Sequence, residues 1–373
     1  MNVGSQDHDS LLDKSKRYTC LKYCFAIIDT IYLLVLLLIF LVSGISKILA
    51  RDISRFVSPN YLAVPGYLLV VYIAYWLLDF PFNFYRSFVV EHKFSLSNQK
   101  LSAWFLDQLK AGIISYIISL ILLEVFYYIL KHNPNTWWLS ISLFWIFFSL
   151  ILARLVPVII IPLFFKYKKF SDNTLRQRII SLADKMKIKI LDCFEIDFSK
   201  KTLKANAAFV GWGQTKRVIL ADTLKDKYSY DEIEVILAHE FAHYRLRHIL
   251  KLILVNSIAI TLSLFLIFKT SSYFLNIFSL SSISDIAALP VILIYFIIFG
   301  IIMQPFENYI SRRLEKNADT LALKITGLKE AFISLMEKLS NQNLADRNPH
   351  PIIKLFFFDH PPIDERIRMA KSK

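Results

Sequence analysis

The chain has 373 residues, of which 55% are hydrophobic, and a formal net charge of +14 at pH 7. A soluble globular domain is usually about 45–50% apolar, and here the apolar excess lies in runs long enough to cross a membrane, which excludes an ordinary soluble protein. The basic residues flank those runs, a distribution that favours contact with membrane lipids and argues against nucleic acid as the partner.

The N-terminal half predicts a polar segment and a membrane region. Residues 1–24 are polar, and we expect them to be disordered or to lie on the membrane surface. The membrane region, 25–165, would hold four spans and a cytosolic segment near 86–110. Two further spans are expected within 250–310. The six apolar runs are 25–46, 62–84, 111–130, 137–164, 252–270 and 287–306.

The placement of positive charge predicts an orientation. The connection between the fifth and sixth runs, 271–285, contains no Lys or Arg. By the positive-inside rule, both termini and the middle of the chain then face the cytoplasm. The membrane would be the plasma membrane of a bacterium or the endoplasmic reticulum of a eukaryote.

Two charged residues fall inside predicted spans, where charge is costly. Glu124 lies in the third span and Arg154 in the fourth. They predict either a hydrated chamber that leads to the metal site, or a plain structural role as a Glu124–Arg154 ion pair or as side chains that snorkel to the interface.

Residues 166–249 have the composition of a soluble region. Helical spacing of apolar residues predicts a helix over 173–186 with Asn173 as its cap. The pattern at 188–197 predicts a strand, and 205–222 predicts two strands around a turn at Gly211–Gly213. A further helix is expected to begin with Asp231 as its cap.

That helix carries the sequence HEFAH, from His239 to His243. Histidines four residues apart lie on one helix face, so both imidazoles can bind one metal ion. Glu240 stands beside them, where a carboxylate can take a proton from an activated water. His248 is nine residues from His239, about 180° around a continuous helix, so we expect it not to bind the metal.

A catalytic zinc site has three protein ligands and an open position. Glu315 follows the sixth span, and the hairpin of spans five and six returns the chain to the side on which the histidines lie. Asp319, one turn later, could reach the free ring nitrogen of a ligating histidine. The alternative is an exposed acidic pair on a basic helix. The C-terminal catalytic region would be 311–373.

Four short segments carry a resemblance to a known family. HEFAHYRLRH (239–248), SRRLEKNAD (311–319), ANAAF (205–209) and HPPIDER (360–366) resemble the type I CAAX prenyl protease family, which are integral-membrane zinc metallopeptidases. The resemblance covers about residues 62–370. It implies a mostly α-helical, multi-span membrane bundle with a cytosol-facing, gluzincin-like zinc protease domain that contains a small β-sheet.

The resemblance implies a role for each matched residue. His239, His243 and Glu315 would bind one Zn²⁺ per chain, with Glu240 as the general base. Asp319 matches a residue sometimes described as a proton donor, although we favour orientation of a zinc ligand.

Three further matched residues take roles only from the resemblance. Asn206 would pair with the substrate backbone on an edge strand. His360 would stabilise the oxyanion of the tetrahedral intermediate, and Arg366 would brace the site near Glu315.

The sequence therefore predicts a membrane-embedded zinc metalloendopeptidase that hydrolyses peptide bonds near the membrane surface. Its substrate would be a peptide or protein, lipidated or membrane-bound, of the CAAX prenyl protease type. One alternative is a quality-control protease of misfolded membrane proteins that has no prenyl dependence. An inactive membrane scaffold or a transporter is the alternative of another class.

Overall fold

The apolar runs form helices, since lipid offers no water to satisfy backbone N–H and C=O groups. The computed structural model describes residues 3–56, 62–211, 216–225 and 227–373, with side chains from residue 12 onward. Within those residues, six helical stretches have the length and apolarity of membrane spans, as predicted. They are Leu12–Val42, Ala63–Lys93, Leu101–His132, Trp137–Phe164, His248–Ile277 and Ile286–Thr326.

The N-terminal membrane region is mostly helical in the described residues. Two π-helical turns, Tyr85–Val89 and Val156–Ile160, extend two of the spans without interrupting them. The helices are α1 (Val3–Val42), α2 (Ile45–Phe56), α3 (Ala63–Phe84), α4 (Val90–Lys93), α5 (Leu101–His132), α6 (Trp137–Leu155) and α7 (Ile161–Phe164).

The start of α1 differs from the prediction. The helix begins at Val3 and continues into the first span, so the expectation of disorder is wrong from Val3 onward. The alternative, that the segment lies on the membrane surface, stays a prediction. Tyr18 is 1% exposed, and its hydroxyl donates to Glu91 at 2.6 Å. Lys204 in turn lies 2.8 Å from Glu91. Burial against the segment after α3 therefore orders residues whose sequence is merely polar.

The soluble-like region contains a four-stranded sheet with the order β1-β2-β4-β3. Strands β2 and β4 are parallel, and the two outer pairs are antiparallel. The strands are β1 (Tyr167–Lys169), β2 (Asp192–Ile196), β3 (Ala207–Val210) and β4 (Arg217–Ala221). The strands predicted within 188–197 and 205–222 are confirmed. Gly213 of the predicted turn lies outside the described residues.

The remaining helices surround this sheet or return to the membrane. They are α8 (Asn173–Lys185), α9 (Tyr230–Arg245), α10 (His248–Ile277), α11 (Leu289–Thr326), α12 (Lys329–Asn343), α13 (Pro351–Phe357) and α14 (Ile363–Lys371). Helix α11 ends where Gly327 adopts a left-handed conformation with φ 67°, a common helix end.

Both predicted caps are wrong by one or two residues. The cap of α8 is Asp172, whose carboxylate accepts from the backbone of Leu175 at 3.0 Å. The cap of α9 is Ser229, which forms a reciprocal capping box with Glu232. Each true cap has an extended backbone that lets its side chain turn back onto the helix.

Two buried cores meet along α11. The first lies between the sheet, α8, α9 and α12, and it includes Ala318 and Ala322 of α11. The second lies in the membrane bundle and includes Leu289 and Val291 from the start of the same helix. Helix α11 thus connects the membrane bundle to the sheet region as one continuous element. For Glu124 and Arg154, the two predicted alternatives stay predictions.

Candidate metal centre

Helix α9 exposes the side of His239 and His243 to the site because its opposite face is buried. Ile233, Leu237 and Phe241 are at most 2% exposed and belong to the core against the sheet. This packing fixes the rotation of the helix, so His239 and His243 point together away from that core.

The two imidazoles converge with one carboxylate. His239 Nε2 lies 3.0 Å from His243 Nε2. The Glu315 carboxylate lies 3.2 Å from the first of these nitrogens and 3.3 Å from the second. One donor atom from each residue falls within 4.8 Å of the others, and among the described residues this is the group with metal-binding geometry.

The placement of the donor atoms in this group fits a bound cation. The Nδ1 atoms of both histidines face other protein groups, so tautomers protonated at Nδ1 leave two Nε2 lone pairs aimed at one point. Glu315 is 6% exposed, and its Oε2 has no well-aligned hydrogen bond among the described residues. Two nitrogen lone pairs and a buried carboxylate oxygen then point at one place. These three groups would repel one another unless a positive charge lay between them, and a metal ion supplies that charge.

Helix α11 supplies the second carboxylate of the centre. Asp319 is fully buried, and its Oδ1 lies 2.8 Å from His239 Nδ1. Arg366 donates to both oxygens of Asp319, at 2.8 and 2.6 Å. Arg366 therefore contacts the carboxylate one helical turn after Glu315, and its expected role of bracing the site near Glu315 stays a prediction. The guanidinium neutralises a carboxylate that would otherwise be buried unpaired.

The charges around His239 favour a positive group at this point. Burial lowers the pKa of the imidazole, but the carboxylates of Asp319 and Glu315 outweigh burial and raise it to about 9. Burial also raises the pKa of the Glu240 carboxyl above its usual range. A carboxylate with a raised pKa is suited to accept a proton near neutral pH.

His248 occupies a position that the sequence did not predict. Helix α9 ends at Arg245, and Arg247 adopts a left-handed conformation with φ 55° before α10 begins. The two helices are therefore not continuous, and the predicted 180° separation from His239 is wrong. His248 is fully buried, with its Nδ1 3.1 Å from Nδ1 of His243. It lies outside the group with metal-binding geometry and contacts a member of it.

His360 approaches the centre from the C-terminal segment. Its Nε2 lies 3.4 Å from Glu315 Oε2, and its Nδ1 lies 2.9 Å from Asp359 Oδ1. Burial lowers the pKa of His360, but the Asp359 and Glu315 carboxylates outweigh burial and raise it. The ring is about half exposed, so it faces the open side of the centre.

A cleft of about 350 Å³ leads to these groups. Asn206 and Ala207 line one side of it, and Glu240 and His360 line the metal side. Strand β3 is an edge strand of the sheet. Asn206 immediately precedes it, with an exposed side chain and a backbone oxygen that accepts from Ala221. The cleft therefore borders an edge of β3 that pairs with no other strand among the described residues.

Comparison with known protein families divides the chain into two parts. Residues 6–166 match the family described as CAAX prenyl protease N-terminal, five membrane helices. Residues 170–373 match peptidase family M48. Over 6–166 the described structure has four candidate spans and α2, which at 12 residues is too short to cross a bilayer.

Individual relatives are similar over most of the chain. An uncharacterised metalloprotease of Bacillus subtilis is 31% identical over 91% of this chain and 80% of its own length. CAAX prenyl protease 1 of Saccharomyces cerevisiae is 31% identical over 78% of this chain and 68% of its own. The crystal structure of Ste24p from S. mikatae superimposes with a TM-score of 0.87 at 27% identity, covering 97% of this chain and 89% of that one.

Proposed function

The chain belongs to peptidase family M48 and is a membrane-embedded, CAAX prenyl protease-like metalloendopeptidase. We propose that its metal is zinc, held by His239, His243 and Glu315. The observation that carries this assignment is the convergence of one donor atom from each residue within 4.8 Å. Two imidazoles and a carboxylate with an open fourth position form a common ligand set of catalytic zinc. Harder cations such as Mg²⁺ prefer sites with oxygen ligands only.

Each side chain around the metal has a separate role in peptide hydrolysis. When bound, zinc polarises the scissile carbonyl and lowers the pKa of water. Glu240 takes the proton of the attacking water and passes it to the leaving amine. His360 donates from Nε2 to the oxyanion that develops on the carbonyl oxygen.

Two further residues act on the ligands. Asp319 orients His239 through its contact with Nδ1, an arrangement that fixes both the tautomer and the ring angle. Arg366 holds Asp319 through two hydrogen bonds, so neither carboxylate oxygen can rotate away from the imidazole.

The substrate adds a strand to the edge of the sheet. Strand β3 borders the cleft, and an extended peptide that pairs with it would pass beside Glu240. The exposed Asn206 side chain offers both a donor and an acceptor to the substrate backbone. This arrangement places the scissile bond in the cleft without requiring a particular side chain.

The substrate is a chain held at the membrane, by a lipid or by a span of its own. His243 lies five residues before the start of the fifth candidate span, and Glu315 lies in the C-terminal part of the sixth, Ile286–Thr326. The centre is therefore covalently close to two membrane helices. The basic flanks of the spans favour a cytoplasmic catalytic region.

Metal content and cleavage, measured together, test the assignment. Wild-type protein in detergent should contain one zinc per chain and cleave a model peptide. Glu240→Ala should keep its zinc and lose cleavage, whereas Glu315→Ala should lose zinc. Cleavage by Glu240→Ala, or full zinc occupancy in Glu315→Ala, would exclude these roles.

Matched substrates separate the two kinds of membrane anchor. We would compare one CAAX peptide in farnesylated and unmodified form with a membrane protein carrying a cytosolic loop. Cleavage of the farnesylated peptide alone identifies the lipid as the anchor. Cleavage of the loop with no preference between the peptides identifies a protease of membrane proteins.

Orientation is tested by labelling cysteines. Cys20 and Cys24 are exposed and precede most of the first span. A membrane-impermeant maleimide should label them in inverted vesicles and not in intact cells, and the reverse result would place the N-terminus outside.

A further inference from the structure

The segment before His360 is tied to α11 by side-chain donors. Asn308 Nδ2 donates to the carbonyls of Leu355 and Phe356, at 3.2 and 2.8 Å. Arg312 Nη1 donates to the carbonyls of Lys354 and Phe358, at 3.0 and 2.5 Å. The end of α13 leaves carbonyls without intrahelical partners, and these two side chains satisfy four oxygens of residues 354–358.

The same face of α11 also carries the metal-centre carboxylates. Asn308, Arg312, Glu315 and Asp319 are separated by four, three and four residues, the spacing of one helix face. Along this helix face, Asn308 and Arg312 bind the backbone of residues 354–358, whereas Glu315 and Asp319 contact His239. Helix α11 therefore positions Glu315 and also fixes the backbone that immediately precedes Asp359 and His360.

The backbone changes direction where Arg312 holds it. Phe358 is extended, with φ −110° and ψ 105°, and His360 follows two residues later. Tyr23 of α1 also contacts this turn, with ring centroids 5.2 Å from Phe357 and 6.2 Å from Phe358. The position of His360, 3.4 Å from Glu315, thus depends on a turn anchored to α11 and packed against α1.

We propose that Asn308 and Arg312 are positioning residues for His360, holding its imidazole beside the metal centre. The inference rests on the proposed role of His360 in stabilising the oxyanion. A donor displaced by about 1 Å can cost a factor of 10² in rate. Loss of an oxyanion donor costs about 10²–10³ in kcat.

Arg313 provides a matched control one residue along the same helix. It is exposed, and its guanidinium donates to Tyr309 at 2.6 Å. Arg312→Ala and Arg313→Ala therefore remove the same charge from the same helix, but only the first removes the donor to residues 354 and 358.

A double-mutant cycle with His360→Ala tests the inference. In the wild-type background, Arg312→Ala should lower kcat about 10–100-fold and change KM less than about 2-fold. In the His360→Ala background the same substitution should lower kcat less than about 3-fold, because the group it positions is gone. Asn308→Ala should show the same coupling, and Arg312→Lys should recover part of the loss by reaching one carbonyl. Arg313→Ala should match the wild type in both backgrounds.

Zinc content and the cycle together separate the possible failures. An equal kcat loss from Arg312→Ala in both backgrounds, or loss of zinc from that variant, overturns the inference, since Arg312 would then act on the helix or the ligands. If His360→Ala leaves kcat unchanged, the oxyanion role fails and the inference with it, whereas the zinc and Glu240 results stand separately. If Arg312→Ala does not fold, the same double-mutant cycle is measured with Asn308→Ala and Arg312→Lys.

Discussion

Replacing His248 with Leu tests whether this imidazole belongs to the metal centre. His248 is fully buried, and its Nδ1 lies 3.1 Å from Nδ1 of His243. Leu fills a similar volume without offering an acceptor. The Nδ1 hydrogen of His243 would then lose its partner, and the ring would be free to rotate or to move its hydrogen to the metal-facing nitrogen.

The expected effect follows from the exposure of the two rings. An unsatisfied buried donor costs about 1–3 kcal/mol. His243 is 21% exposed, so water reaches part of the ring, and we expect about 1–2 kcal/mol. Because 1.4 kcal/mol is a factor of ten, the zinc dissociation constant should rise about 5–30-fold. That range overlaps the 10–100-fold loss found when partners of metal ligands are removed elsewhere.

Competition with a chelator measures this change in purified protein. His248→Gln should lose less affinity than His248→Leu, because the amide oxygen can still accept. His132→Leu serves as a control, since His132 is exposed at the end of α5 and its Nδ1 lies near the carbonyl of Tyr128. Identical zinc dissociation constants for wild type and His248→Leu would refute the reasoning.

Three other substitutions separate binding, substrate contact and stability. Asp319→Asn keeps the size of the side chain but removes the charge beside His239, and it should weaken zinc binding about 10–100-fold. Asn206→Ala should lower kcat/KM about 10-fold with unchanged zinc content, because it removes substrate contacts only. Burial raises the pKa of Glu232, but its hydrogen bonds and the charge of Lys338 outweigh burial and lower it. This carboxylate therefore stabilises the fold above its unfolded pKa of about 4.3, and that stabilisation is lost as pH falls through the lower folded value. Glu232→Gln should lower the thermal midpoint at pH 7, with the difference from wild type closing towards pH 3.

Each of these expectations has a contrary result. Unchanged zinc affinity in Asp319→Asn would remove Asp319 from the centre. Loss of zinc in Asn206→Ala would show that this residue supports the fold of the site. A difference in thermal midpoint that stays constant from pH 7 to pH 3 would mean that the charge of Glu232 is irrelevant to its contribution.

The proximity of His239 and His243 was predictable because the sequence gives their spacing along a helix directly. His239 and His243 share a face on any helix, and the motif therefore indicates their proximity before a fold is known. Glu315 required more: a hairpin of two spans had to return the chain to the same side. Apolar run lengths contain that information, since each span must cross the membrane once.

The errors arose where a local conformation was assumed. The position of His248 was judged on a continuous helix, but Arg247 adopts a left-handed conformation that ends the regular rotation. A non-glycine residue with positive φ has weak sequence signals. The contacts of Arg312 were not predictable either, because its partners are backbone carbonyls, which have no sequence signature.

The distribution of the centre along the chain sets an order for its synthesis. His243 and Glu315 are separated by α10 and by the first part of α11, and His360 follows later still. Ribosomes add about 5–20 residues per second, so several seconds pass between emergence of the HExxH helix and of the third ligand. During that interval the nascent chain carries an incomplete ligand set. On the proposed ligand assignment, the metal centre is therefore completed only after the helix of the last candidate span has been synthesised.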